Sequence, residues 1–263
     1  MRVRVPAEAR LGLVQRHGAR VAQDVRGGEA GDAGTDDGHG SHVPDSERAR
    51  RRMGPRCVLL GDMVTEPHLV TRGAADPRAL VLLLHGGRVH STASAQRGVA
   101  YLRMLPFGRA AADAGPGVAV WRLRYRYRGW NEPERHPVAD ARWALDRAAR
   151  THPGVPVVLV GHSMGGRVAL HVATAPGVAG ICALAPWLEP PDHALPTDPA
   201  VPLLIAHGDR DRTTDPGESA RFAAAHGGRF VLVKGENHTM LRRYSHWNRL
   251  VERFVRTVAW PNG

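Results

Sequence analysis

The first stretch able to do chemistry is Gly161-His162-Ser163-Met164-Gly165. A serine with glycines two positions to either side suits a very tight strand-to-helix turn. In such a turn the serine backbone is strained and its hydroxyl is lifted clear of the sheet. Strand and helix then pass too close for side chains at the flanking positions. Gly161 and Gly165 remove that collision, and Gly166 gives further room. A helix that begins at the serine also turns its free N–H groups and positive dipole end toward any oxyanion forming there. The chemistry implied is nucleophilic attack by Ser163. It requires a base, an acid to orient that base, and donors for the oxyanion.

The elements around Ser163 have the pattern this turn needs. Val155 to Val160 is a short apolar, β-branched run that reads as a buried strand. A helical pattern begins at about Met164 and continues through Arg167, Val168, Leu170, His171 and Val172. With GHSMGG set between such a strand and such a helix, residues 64–260 resemble the α/β-hydrolase family. The motif is common there among esterases, lipases, lysophospholipase-like enzymes and serine aminopeptidase-like members. The resemblance implies an α/β fold, a mostly parallel sheet with helices on both faces.

That resemblance also says where the partners of Ser163 should lie. A base histidine needs a buried carboxylate to fix its tautomer and stabilise its cation. Val201 to Ala206 reads as a strand and runs into His207-Gly208-Asp209-Arg210-Asp211, where two aspartates compete. The family pattern G-x-x-D, counted from Gly208, selects Asp211, and leaves Asp209 to cap the turn through its side chain. His238 follows the last strand, Arg229 to Lys234, in the loop where the family places its histidine. Ser163, Asp211 and His238 thus stand in the family's order, each just after a strand, and in a parallel sheet those ends lie on one side. The apolar run Ala79 to Leu84 leads into His85-Gly86-Gly87-Arg88, which resembles the family's oxyanion loop. The implied donors are the N–H of Gly87 and the N–H of Met164. Arg88 replaces Gly87 if the register slips by one. Arg88 and Trp187 are the candidate substrate-binding residues, while His85 is expected to brace the oxyanion loop and His162 and His207 to be structural.

The rest of the chain supplies the scaffold. His68 to Arg72 reads as an edge strand, residues 98–114 as a helix interrupted at Pro106, and Val118 to Leu123 as a strand of alternating style. Pro137 to Arg150 is an amphipathic helix, Gly177 to Ala185 another strand, and Leu241 to Val258 the last helix. Strands alternating with helices predict a mostly parallel sheet. Between strands, residues 186–200 hold five prolines and leave room only for a minimal cap, so an open, shallow site is expected, with Trp187 and Leu188 beside it. Arg124 to Trp130 reads equally as a substrate-side loop or as a solvated loop whose tyrosines cover the sheet edge.

Composition narrows the function classes. The 263 residues suffice for one large domain. Residues 63–263 form the expected catalytic domain. Residues 1–62 read as a disordered, low-complexity extension, or as the product of a start assigned too far upstream, with Met53 and Met63 as alternative starts. The formal net charge of +11 comes almost wholly from arginine, since Lys234 is the only lysine. The arginines form no single stripe with interleaved aromatics, so no nucleic-acid partner is expected. Two cysteines, Cys57 and Cys182, provide neither a disulfide framework nor metal-ligand spacing. Neither a membrane span nor a secretory leader is expected, and the chain reads as cytoplasmic. The expected activity is a serine hydrolase cleaving a carboxylic ester, thioester or amide of a small-molecule acyl substrate, with no metal or organic cofactor. The alternatives are an acyltransferase or cofactor-free haloperoxidase-like enzyme on the same three residues, and a non-catalytic binding protein of the same fold.

Overall fold

The computed structural model describes residues 66–95 and 98–261. The extension expected over residues 1–62 lies outside them. Seven strands form one sheet: β1 (His68–Arg72), β2 (Ala79–Leu84), β3 (Val118–Arg124), β4 (Val157–His162), β5 (Val178–Leu184), β6 (Leu203–Gly208) and β7 (Arg229–Val233). Their order is β1-β3-β2-β4-β5-β6-β7. Only the edge strand β1 is antiparallel to its neighbour; the remaining pairs are parallel. Among the described residues no helix is long and apolar enough to cross a membrane.

Both faces of the sheet are covered, which explains the unbroken apolar runs in its strands. In β2, Leu80, Leu82 and Leu84 face one core and Val81 and Leu83 the other. The first core is closed by α3 (His136–Thr151), α4 (Met164–His171) and α5 (Pro216–Ala225) through Val138, Ala141, Val168 and Phe222. The second is closed by α2 (Leu105–Ala112) and α6 (Tyr244–Ala259) through Phe107, Ala111, Trp247, Val251 and Val255. The buried residues of α6 fall every fourth position, one stripe along a helix. The alternation expected in the strand from Val118 is absent, and its first four residues are all buried. β3 lies between β1 and β2 and has an apolar layer on either side. The helix expected over 98–114 is two helices, α1 (Val99–Arg103) and α2, with Pro106 in the first turn of α2, where its missing N–H has no partner to lose.

Two features of this topology position the site. The chain leaves β2 for β3 on one side and β4 for β5 on the other. The C-terminal ends of β2 and β4 therefore flank a crevice, where α/β sheets bind ligands. The loop after β2 carries Gly86 and Gly87, and the turn after β4 carries Ser163. The segment that could have formed a cap holds only one short 3-10 turn, Pro190–Ala194. Buried Arg167 on α4 clamps it. Its guanidinium donates to Glu189 Oε2 at 2.9 Å, and its Nε lies 2.9 Å from Asp192 Oδ2. The same group is sandwiched between the rings of Trp130 and Trp187, 4.2 and 4.4 Å from their centroids. Removing one partner of a buried ion pair leaves the other charge uncompensated. Arg167→Ala should therefore lower the unfolding free energy by roughly 3 kcal/mol in a urea titration. A loss below about 1 kcal/mol would show that the clamp is not a determinant of stability.

Candidate functional site

At the turn between β4 and α4, Ser163 sits at φ 56° and ψ −120°, a conformation that is strained for a residue with a Cβ. Its N–H donates to Leu184 O at 3.0 Å. Its carbonyl accepts from Gly166, Arg167 and Trp187 N–H at 3.0, 3.1 and 3.2 Å. These bonds fix the backbone on both sides of the hydroxyl. The flanking glycines are required sterically. A Cβ on Gly161 would strike the carbonyl of Gly165, and one on Gly165 would strike the carbonyl of Leu84.

The structure brings Asp211, His238 and Ser163 into one line. His238 Nε2 is 2.9 Å from Ser163 Oγ, and its Nδ1 is 2.7 Å from Asp211 Oδ2. An ionised carboxylate only accepts, so Nδ1 carries the proton and Nε2 is left to accept from the serine hydroxyl. Asp209 is elsewhere: its Oδ1 accepts the N–H of Gly235 at 2.6 Å, a turn-closing bond.

Asp211 is held by more than His238. Its Oδ1 accepts the N–H groups of Thr213 and Thr214 at 2.8 and 3.1 Å. Its Oδ2 also accepts from Thr214 Oγ1 at 3.0 Å and from Nε2 of the fully buried His207 at 3.2 Å. Ser219 Oγ, on α5, donates to the other ring nitrogen of His207 at 2.8 Å. Burial alone would raise the pKa of Asp211. The hydrogen bonds from His207, His238, Thr214 and Thr213 outweigh it and hold the carboxyl far below the usual range. His207 had read as a structural neighbour, and Thr214 and Ser219 carried no signal in the sequence. The nearness of His207 to Asp211, four positions on, was the one clue. His162 adds a further support, donating from Nε2 to the carbonyl of His238 at 3.0 Å, so that the end of β4 pins the loop that carries the imidazole.

On the other side of Ser163 lies the His85-Gly86-Gly87 loop. The N–H groups of Gly87 and Met164 have no acceptor among the described residues, whereas Arg88 N–H donates to Arg128 O at 2.8 Å. Of the two registers considered for the loop donor, Gly87 is the one with a free N–H. A Cβ on Gly87 would collide with Arg128 O and with the Met164 side chain. His85 donates from Nδ1 to Gly86 O at 2.6 Å, and its ring packs on buried Tyr125 with centroids 4.5 Å apart. The Arg124–Trp130 loop is tied to this one through Arg128 N–H to Ala93 O and Trp130 N–H to Arg88 O. It therefore buttresses the site, with Tyr125 and Trp130 buried. Arg88 is exposed, whereas Trp187 is half-buried and stacked on Arg167 and Trp130. A cleft of about 290 Å³ borders Gly87 and Arg88, and another of about 730 Å³ borders His238. Among the described residues no group of three His, Cys, Asp or Glu side chains could hold a metal ion.

Residues 75–200 match the family model described as Hydrolase_4, serine aminopeptidase S33. Solved structures with the same fold include an alpha-beta serine hydrolase homologue from Coxiella burnetii (19% identity, TM-score 0.59, covering 71% of this chain and 89% of that one). Another is Est1E from Butyrivibrio proteoclasticus with ferulic acid bound (15% identity, TM-score 0.57, covering 73% and 95%). A third is XC6422 from Xanthomonas campestris, described as an a/b serine hydrolase without lid (18% identity, TM-score 0.57, covering 73% and 94%). The chain has the α/β-hydrolase fold. No curated protein sequence matches it. The stretch matched by the family model contains the Gly87 loop and Ser163 but ends before Asp211 and His238. The grouping of those two with Ser163 rests on the distances above.

The histidines that brace the site carry a measurable consequence. Burial lowers the pKa of His85 to about 4, with Arg124 adding to the effect against a hydrogen bond to Gly86. Burial, together with nearby His238 and Arg103, lowers that of His162 to about 3. Both are neutral in the fold, whereas an unfolded histidine protonates near pH 6.5. The unfolded state therefore binds more protons as pH falls below about 6.5, and stability declines from there down toward the folded values. Each imidazole contributes a slope approaching roughly 1.4 kcal/mol per pH unit in this window. Urea unfolding should show falling stability between pH 7 and 5, and His85→Gln should remove about one proton from the slope. Level stability over that range would contradict the assignment.

Proposed function

We propose that the protein is a serine hydrolase that cleaves a carboxylic ester through an acyl-enzyme. The observation that carries this reading is the continuous line from Asp211 Oδ2 to His238 to Ser163 Oγ, at 2.7 and 2.9 Å. Ser163 is the nucleophile and His238 the general base. Asp211 holds the imidazole in the required tautomer and stabilises its cation. As Oγ attacks the acyl carbon, its proton passes to His238 Nε2 and the carbonyl oxygen becomes an oxyanion. The N–H groups of Gly87 and Met164 receive that charge, one from the loop after β2 and one from the first turn of α4, where the helix dipole assists.

Collapse of the tetrahedral intermediate breaks the bond to the leaving oxygen, which takes the proton from His238. Water then attacks the acyl-serine, His238 removes its proton, and the acid is released as Ser163 regains its hydrogen. The clefts bordering Gly87 and His238 would admit water to an acyl group on Ser163, which supports hydrolysis over transfer to another acceptor. Among the described residues the cap position holds only a short 3-10 turn, Pro190–Ala194, which points the same way. The structural neighbour XC6422 is described as lacking a lid.

A short-chain aryl ester tests the reading. The wild type should turn it over and Ser163→Ala should not. Asp211→Asn should lower kcat by roughly 10³–10⁴, because the amide no longer enforces the tautomer. Equal turnover by wild type and Ser163→Ala would end the proposal.

A further inference from the structure

The cleft beside His238 is built differently from the one beside Gly87. Its lining includes Asp209, Arg210, Asp211, Arg212, His238 and Arg242. Three arginines line one concavity, and none of them has an acidic partner among the described residues. Several other arginines of this chain do: Arg126 pairs with Asp140, Arg135 with Glu132, Arg221 with Glu218 and Arg256 with Glu252.

The acids in and behind the cleft each accept at least one hydrogen bond from within the fold. Asp211 is buried and saturated by His238, His207 and the 213–214 backbone. Asp209 spends Oδ1 on Gly235 N–H. Glu236 is fully buried and accepts from Trp247 Nε1 at 3.3 Å. Three guanidiniums thus line the cleft against two carboxylates, Asp209 and Asp211, and the excess is positive, on side chains whose planar forks match an oxyanion.

The cleft's place in the reaction says which part of the substrate would meet those arginines. His238 delivers its proton to the leaving oxygen, so the leaving group departs on the imidazole side of Ser163. We infer that the cleft bordered by Arg210, Arg212 and Arg242 holds an anionic group, a carboxylate or phosphate, on the leaving portion of the substrate. This rests on the acyl-enzyme reading above. In the acylation step the Oγ–acyl bond forms, the acyl–oxygen bond breaks, and the proton from Ser163 travels through His238 to the departing alcohol, which carries its anion into the arginines.

Two butyrate esters separate this inference from the reading beneath it. One has 4-nitrophenol as its leaving group, the other 3-carboxy-4-nitrophenol, and each rate is taken relative to spontaneous hydrolysis. At low ionic strength the carboxylated ester should be preferred roughly tenfold in kcat/KM. The preference should shrink as salt screens the exposed charges, and should approach one in the Arg212→Gln, Arg242→Gln double variant. Turnover of both esters with no preference would overturn the inference and leave the role of Ser163 standing. Turnover of neither would count against the role of Ser163. Calorimetric titration with the freed phenol, 5-hydroxy-2-nitrobenzoate, then decides the cleft without any turnover. Binding to the wild type but not to the double variant supports the inference. Absence of binding to the wild type overturns it.

Discussion

The close crossing of β4 and α4 at Ser163 is the constraint from which the rest of the site follows. The strain of φ 56° at a serine is tolerated because Leu184 takes its N–H and three backbone donors hold its carbonyl. The absence of side chains at Gly161 and Gly165 lets strand and helix approach, and a Cβ at either would meet backbone rather than a movable side chain. Once the crossing is made, Met164 N–H is left free at the first turn of α4, and the Met164 side chain folds over Gly87. The same few residues thus expose the hydroxyl, supply one free donor, and fix the loop that supplies the other.

On the imidazole side of that crossing, one buried carboxylate is held charged. Asp211 is kept ionised by five hydrogen bonds: two from backbone N–H groups, two from imidazoles and one from a hydroxyl. His85 and His162 are kept neutral by burial and serve as hydrogen-bond props for the two loops on either side of the serine. A fixed anion with neutral supports gives His238 a single carboxylate to answer to. The same support distinguishes Asp211 from its neighbour Asp209. Asp209 closes a turn with Gly235.

Much of this was legible in the sequence, and the limit is physical. β1 and β2 fall where the pattern placed them, because short apolar runs bounded by turn residues have few alternatives. The turn at Ser163 is written in local spacing, and so is the order of Ser163, Asp211 and His238. What local spacing cannot carry is contact between distant segments. Ser219 reaches His207 from α5, Trp130 and Trp187 sandwich Arg167 from different loops, and His162 reaches the carbonyl of His238 across 76 positions. The alternation expected in β3 failed for the same reason, since whether both faces of a strand are covered depends on helices elsewhere in the chain. Trp187 also packs on a guanidinium and a second indole, contacts that its place in the sequence does not announce.

The claim at the centre of this account is that the serine hydroxyl is activated by the imidazole lying 2.9 Å from it. Labelling with a fluorophosphonate, followed by peptide mass spectrometry, measures that activation without any assumption about substrate. The account predicts one adduct, on Ser163, formed by the wild type and slowed by roughly 10² or more in His238→Ala. An unlabelled Ser163 in the folded protein, or labelling at the same rate without the imidazole, would contradict it.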